Sequence, residues 1–257
     1  MRIPRRVRRE DGLELVGHLD ELRIRLIIAL GAVAVAFVVA FAFHERLLDW
    51  LNESLPPERR RPVTFGVAEP FVTSLKISLI AAIALALPVI LWQLWSFLAP
   101  ALDERAQRTV AWCVAFATAL FVGGVAFGKV VALPAALKFL TTYDEEQYQI
   151  LIRAQDYYSF AVMVLVAVGV VYLLPVFILA LVRLGVVSAA KLRSNRRLGS
   201  VAMTAVAVAL PGVDPVTTLI ELAPLLALYE GSIWLAVVFE RRWARELPTP
   251  RASNASA

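Results

Sequence analysis

The densest pattern of ionisable groups in this chain lies at 12–26. Glu14, His18, Glu21 and Arg25 recur at helical spacing, each one residue ahead of Leu15, Leu19, Leu22 and Leu26, so a polar row runs beside an apolar one. Read conservatively, this is a solvated helix face on which Glu21 and Arg25 form an i,i+4 pair worth a few tenths of a kcal/mol. Read more sharply, it is an acidic docking surface for a basic peptide, because carboxylates accept paired hydrogen bonds from guanidinium groups. Near the other end of the chain, Glu221 and Glu230 interrupt an apolar run, where charge is costly and therefore informative. Glu221 is either an interfacial residue reached by water or the polar group of an intramembrane site. Glu230, beside Tyr229, either caps the inner end of its span or faces a partner. Asp214 and Thr218 stand at the start of the same segment.

Other chemistry is missing from the sequence. The single cysteine, Cys113, lies inside an apolar run and reads as a small buried hydrophobe. The two histidines, His18 and His44, flank opposite ends of the first apolar run. No Gly-rich phosphate loop, nucleophile elbow or HExxH pattern appears. The expectation is a protein that is not an enzyme, holds no cofactor or metal, and draws its energy from elsewhere.

The elements that would position these residues follow from composition. Hydrophobic residues make up 60% and charged ones 18% of 257, against about 45–50% and about 25% in soluble domains. The apolar residues come in long runs, so the expected class is an all-α integral membrane protein. Runs at 26–43, 77–98, 109–127, 160–182, 198–210 and 216–239 predict six transmembrane helices, the second carrying Pro88 and Gln93 and the fourth Pro175. The fifth reaches only about 20 Å, short of the hydrocarbon core of about 30 Å. With the tight turn from Pro211 to Pro215 it predicts a short antiparallel pair around which the bilayer thins.

Most of the 26 Lys and Arg residues fall in the N-tail, the loop near 99–108, the loop at 183–197 and the C-tail. That bias places both termini in the cytoplasm. It also assigns the charge of +5 to membrane topology rather than to nucleic acid. The arginine-rich N-terminus is read as retained, because acids at Glu10, Asp11, Glu14, Asp20 and Glu21 separate it from the first apolar run. Three units are expected: a cytoplasmic N-tail with an amphipathic juxtamembrane helix (1–25), a six-span membrane domain (26–239), and a disordered cytoplasmic C-tail (240–257). The long outer connections should be partly helical, with Pro56–Pro57 and Pro134 as breakers. Trp92, Trp95, Trp112, Trp234 and Trp243 fall near span ends, as interfacial anchors do.

Three blocks in order resemble a known family. His18-Leu19-Asp20-Glu21-Leu22-Arg23-Ile24-Arg25-Leu26 is similar to the HLxELRxRL signature that opens the TatC family, the membrane receptor of the twin-arginine protein translocase. Glu69-Pro70-Phe71, followed by the stretch from Leu87 and Pro88 through Gln93, Trp95, Phe97 and Pro100 to Leu102, resembles the family's second block. Asp214 to Pro224, continuing to Tyr229 and Glu230, resembles its last hairpin. The resemblance implies a six-helix receptor with a concave face and short fifth and sixth helices, located in the cell membrane. It also implies binding of twin-arginine signal peptides at the cytoplasmic face. TatA-like and TatB-like single-span partners, self-association and export of folded proteins on the proton-motive force belong to the same expectation.

Carried over by position, Glu21, Arg23, Gln93, Trp95, Phe97 and Pro100 match family positions of the signal-peptide site. Two positions depart from the pattern. The family's loop glutamate falls on Ala106, leaving Asp103 and Glu104 as the nearest carboxylates, with Glu104 favoured. The family's fourth-span glutamate falls on Leu173, and Glu221 is the candidate to replace it. A secondary transporter of small solutes is the alternative reading, since broken helices and intramembrane carboxylates also occur there.

Overall fold

A computed structural model describes residues 9–98, 106–143, 146–147, 150–183, 186–211 and 215–246. Among these residues the architecture is helical throughout apart from one isolated bridge between Val63 and Arg153. The first long helix, α1 (Arg9–Ala42), joins the juxtamembrane segment and the first span without a break. A short α2 (His44–Asn52) then leads by way of a 3₁₀ turn at Pro57–Arg59 to α3 (Glu69–Leu98), which carries Pro88 inside it. The third span is α4 (Ala106–Phe127), a π turn (Gly128–Ala132) and α5 (Leu133–Thr142) end to end. The fourth is α6 (Ala154–Val171) and α7 (Leu174–Arg183). A small α8 (Ala189–Ser194) precedes the hairpin of α9 (Arg196–Ala209) and α10 (Pro215–Glu246).

Among the described residues five segments are long and apolar enough to cross a membrane: Asp20–Ala42, Glu69–Phe97, Ala111–Thr142, Ala154–Arg183 and Pro215–Glu240. The sixth, α9, has 14 residues, about 21 Å of helix, which is the short element its sequence predicts. The expectation for Pro134 needs correcting. The helix runs through it, because the widened π turn lets Leu133 N–H reach the Gly128 carbonyl and removes the clash a proline makes with an α-helical turn before it. Pro56–Pro57 does separate two helices. Pro175 acts upstream of itself: the chain turns at Tyr172–Leu173 and restarts with Val176 N–H donating to the Leu173 carbonyl at 3.0 Å. At the other end of the chain, α10 continues past the last apolar residue of its run to Glu246.

The centre of the bundle is the fourth span. Of its apolar window 44% is buried, against 6% for the first span, which packs on α3 and turns its remaining faces outward. Such an apolar exterior is expected where lipid is the solvent. Crossing of α4 over α6 depends on two glycines. A Cβ on Gly124 would lie 2.8 Å from Tyr172 Cβ and 2.9 Å from Gly169 Cα, while one on Gly169 would strike Phe121 at 2.8 Å. Small residues let the backbones approach where no water drives association.

One end of the bundle is closed by a cap made of α2, the segment after it, α5 and the start of α6. Val63 exchanges hydrogen bonds with the segment before α6, accepting from Ala154 N–H at 2.8 Å and donating to the Ile152 carbonyl at 2.9 Å. Tyr157 hydroxyl donates to the Leu51 carbonyl at 2.5 Å, and Tyr158 reaches Asn52 Oδ1 at 3.0 Å. Arg59 donates to the Thr141 carbonyl at 3.1 Å. Lys129 donates to the Trp50 carbonyl and to Ser54 Oγ. The described parts of the long connections are therefore held by their own polar groups.

Candidate functional site

At the end opposite the cap the described ion pairs are partly exposed. On α1, Arg25 Nη2 lies 2.5 Å and Nε 3.0 Å from the same Glu21 Oε1, so the i,i+4 pair read from sequence is formed. Arg23 is exposed, and Glu14 and His18 lie on the same helix. Gln93, Trp95 and Phe97 are half-buried in the last turns of α3. Trp95 borders a cavity of about 70 Å³ shared with Cys113 and Phe116 of α4, Arg183 of α7 and Phe239 of α10. Pro100, Asp103 and Glu104 lie outside the described residues, as does Asp214, while Ala106 opens α4.

Three further positions sit on α10. Glu230 Oε2 is 3.3 Å from Arg196 Nη2, an exposed pair that ties α10 to the first turn of α9. Tyr229 is 5% exposed and its hydroxyl end packs on α9, where a Cβ at Gly199 would fall 1.9 Å from its hydroxyl oxygen. Only glycine leaves room for this contact. Below the same hairpin, Glu240 accepts the Ala189 N–H at 3.1 Å and so receives the first turn of α8.

Glu221 is 2% exposed, and Thr217, one turn earlier on α10, is fully buried, with Thr218 half-buried beside it. The interfacial reading of Glu221 therefore gives way to a buried one. Nearby in sequence to the expected fourth-span position, Tyr172 packs on Gly124 and stacks against Phe127 at 5.8 Å between centroids. Tyr172 adjoins Leu173 at the break between α6 and α7.

The most elaborate polar cluster escaped sequence reasoning. Glu69 opens α3 with its side chain 3% exposed, and Arg153 Nε and Nη2 meet its two oxygens at 3.0 and 3.2 Å. Backbone N–H groups of Phe65, Gly66 and Gln155 donate to the same carboxylate at 3.1, 3.2 and 3.3 Å. The carboxylate in turn raises the Arg153 guanidinium above its ordinary value, so the pair stays ionised. A glutamate just ahead of one apolar run and an arginine just ahead of another were the available signals, but nothing local links residues this far apart in sequence.

Among the described residues no group of three His, Cys, Asp or Glu is placed to hold a metal. The fold and the polar groups at its two ends thus define a polytopic helical membrane protein, capped at one end and carrying partly exposed ion pairs at the other.

Residues 17–224 match the family described as Sec-independent protein translocase protein (TatC). The chain is 34% identical to the Carboxydothermus hydrogenoformans TatC over 225 residues, 87% of this chain and 93% of that one. It is 31% identical to TatCd of Bacillus subtilis over 90% of this chain and 95% of that one. The chloroplastic TATC of Arabidopsis thaliana is 34% identical over 90% of this chain and 69% of its own length. A crystal structure of the twin-arginine translocase receptor TatC in the detergent DDM superposes with a TM-score of 0.74 at 31% identity, covering 85% of this chain and 99% of that one. This chain belongs to the TatC family of Sec-independent protein translocase proteins. The small-solute transporter reading has no support from these relatives.

Proposed function

We propose that this chain is the signal-peptide receptor of a twin-arginine translocase in the cell membrane, with both termini in the cytoplasm and no catalytic chemistry of its own. The observation that carries this reading is its likeness to the solved twin-arginine translocase receptor across nearly all of that chain. The bias of Lys and Arg toward the N-tail, the 183–197 loop and the C-tail supports the orientation. In this reading the open end faces the cytoplasm. Glu21 and a carboxylate of the first cytoplasmic loop, Glu104 or Asp103, accept the paired arginines. The planar guanidinium fork meets two carboxylates in a way lysine does not. Arg23, Gln93, Trp95, Phe97 and Pro100 shape the approach.

Glu221 supplies the intramembrane polar group that Leu173 does not. The α9–α10 hairpin, with Asp214, Thr218 and Glu230 on it and Tyr229 packed beneath, is the surface offered to TatA-like and TatB-like single-span subunits. With them the chain passes folded proteins across the membrane on the proton-motive force. Solubilised protein should retain a signal peptide with paired arginines and release it when both are lysine; equal retention of the two peptides refutes the receptor reading. Glu221→Ala should reduce transport of a twin-arginine precursor severalfold while leaving peptide retention intact. Transport at the parental rate removes the role given to Glu221.

A further inference from the structure

A cavity of about 450 Å³ opens beneath α2, between α1, α3, α4 and α6. This size is within the range of about 300–1,000 Å³ found for small-ligand sites. Val39, Phe43 and Leu85 on its border are 48%, 53% and 61% exposed, so the groove opens sideways to the surroundings of the bundle. Arg46 and Trp50, one turn apart on α2, close it at the cap end. Arg46 follows the end of the first span, Asp20–Ala42, by about one helical turn, which is the depth at which headgroups replace hydrocarbon. Its guanidinium lies 5.3 Å from the Phe43 ring centroid and makes no ion pair among the described residues. Lys129, over the Trp50 ring at 4.9 Å, is committed to the Trp50 carbonyl and Ser54.

Apart from Arg46 and the Trp50 indole, the lining is aliphatic or aromatic. A peptide entering such a groove in extended form would bring N–H and C=O groups that find no partner there. An acyl chain brings none. We propose that the groove holds an acyl chain of an anionic membrane phospholipid, with its phosphate on Arg46 and the Trp50 indole at the headgroup boundary. The lipid belongs to the leaflet on the capped side and is wedged beside the first span, whose apolar window is the least buried of the five.

Native mass spectrometry of the full chain, equilibrated in detergent with phosphatidylglycerol and phosphatidylcholine of identical acyl chains, tests the assignment. The parent should keep phosphatidylglycerol about fivefold over phosphatidylcholine, the preference one arginine at the membrane surface supplies. Arg46→Gln should abolish that preference, while Arg60→Gln, an exposed change of equal charge in the same cap, should retain it. Ala84→Phe, which fills the groove from α3, should lower retention of both lipids. Because Arg46 is exposed, its variant decides the question even if Ala84→Phe does not accumulate. Equal retention of the two lipids by the parent, or an unchanged preference in Arg46→Gln, overturns the proposal. So does a photocrosslinker at Leu85 that captures a twin-arginine precursor rather than phospholipid.

Discussion

The two ends of this molecule use charge in different ways. At the cap, Glu69 is nearly enclosed and takes two guanidinium and three backbone donors from two segments, 65–66 and 153–155. At the open end, Glu21 meets Arg25 on its own helix and Glu230 meets Arg196 on the neighbouring one, with both partners of each pair partly exposed. Cap charges hold distant parts of the chain together. Open-end charges cost little to release, because an exposed pair is worth about 0–1 kcal/mol and each member regains water on separation. A surface that must exchange its own partners for an incoming peptide needs that property, and a scaffold needs the reverse.

The comparison breaks most decisively at Arg153. Arg153→Ala strands a buried carboxylate, so it should give the largest fall in thermal stability of any single cap change, read as the midpoint of tryptophan-fluorescence melting in detergent. Parental melting would mean that the cap is not held by this pair. Next in size is Gly124→Ala, which forces α4 away from Gly169 and Tyr172 and should cost about 1–3 kcal/mol by overpacking. An unchanged unfolding midpoint would show that the crossing relaxes freely. The smallest stability effect is expected at the open end. Glu21→Ala should lose only a few tenths of a kcal/mol of helix stability, yet lower affinity for a twin-arginine peptide about tenfold or more, as lost charge-assisted hydrogen bonds do. Glu14→Ala should leave that affinity nearly unchanged; equal losses from the two would reduce the site to a diffuse acidic surface.

The spans were legible because lipid leaves one solution for each apolar run, and the short α9 was legible from its length alone. Helix ends were less so. Backbone hydrogen bonding carries α1, α3 and α10 beyond their apolar residues, and a π turn absorbs Pro134 where a proline rule predicts a break. The Glu21–Arg25 pair is local and could be read from spacing. The Glu69–Arg153 clasp and the Gly199–Tyr229 contact join residues brought together by the fold, so no periodicity announces them. Sequence marked Glu221 as costly, and the structure places it buried on α10.

The 14 residues of α9 also bear on electrical energy. A bilayer that matches its apolar slab to a helix of about 21 Å has about two-thirds of its ordinary thickness there. The same transmembrane voltage then falls over a shorter path, and the local field rises to about one and a half times its value elsewhere. The work of moving a charge across is unchanged, but the force on it is steeper, and the α9–α10 hairpin is where that steeper gradient acts.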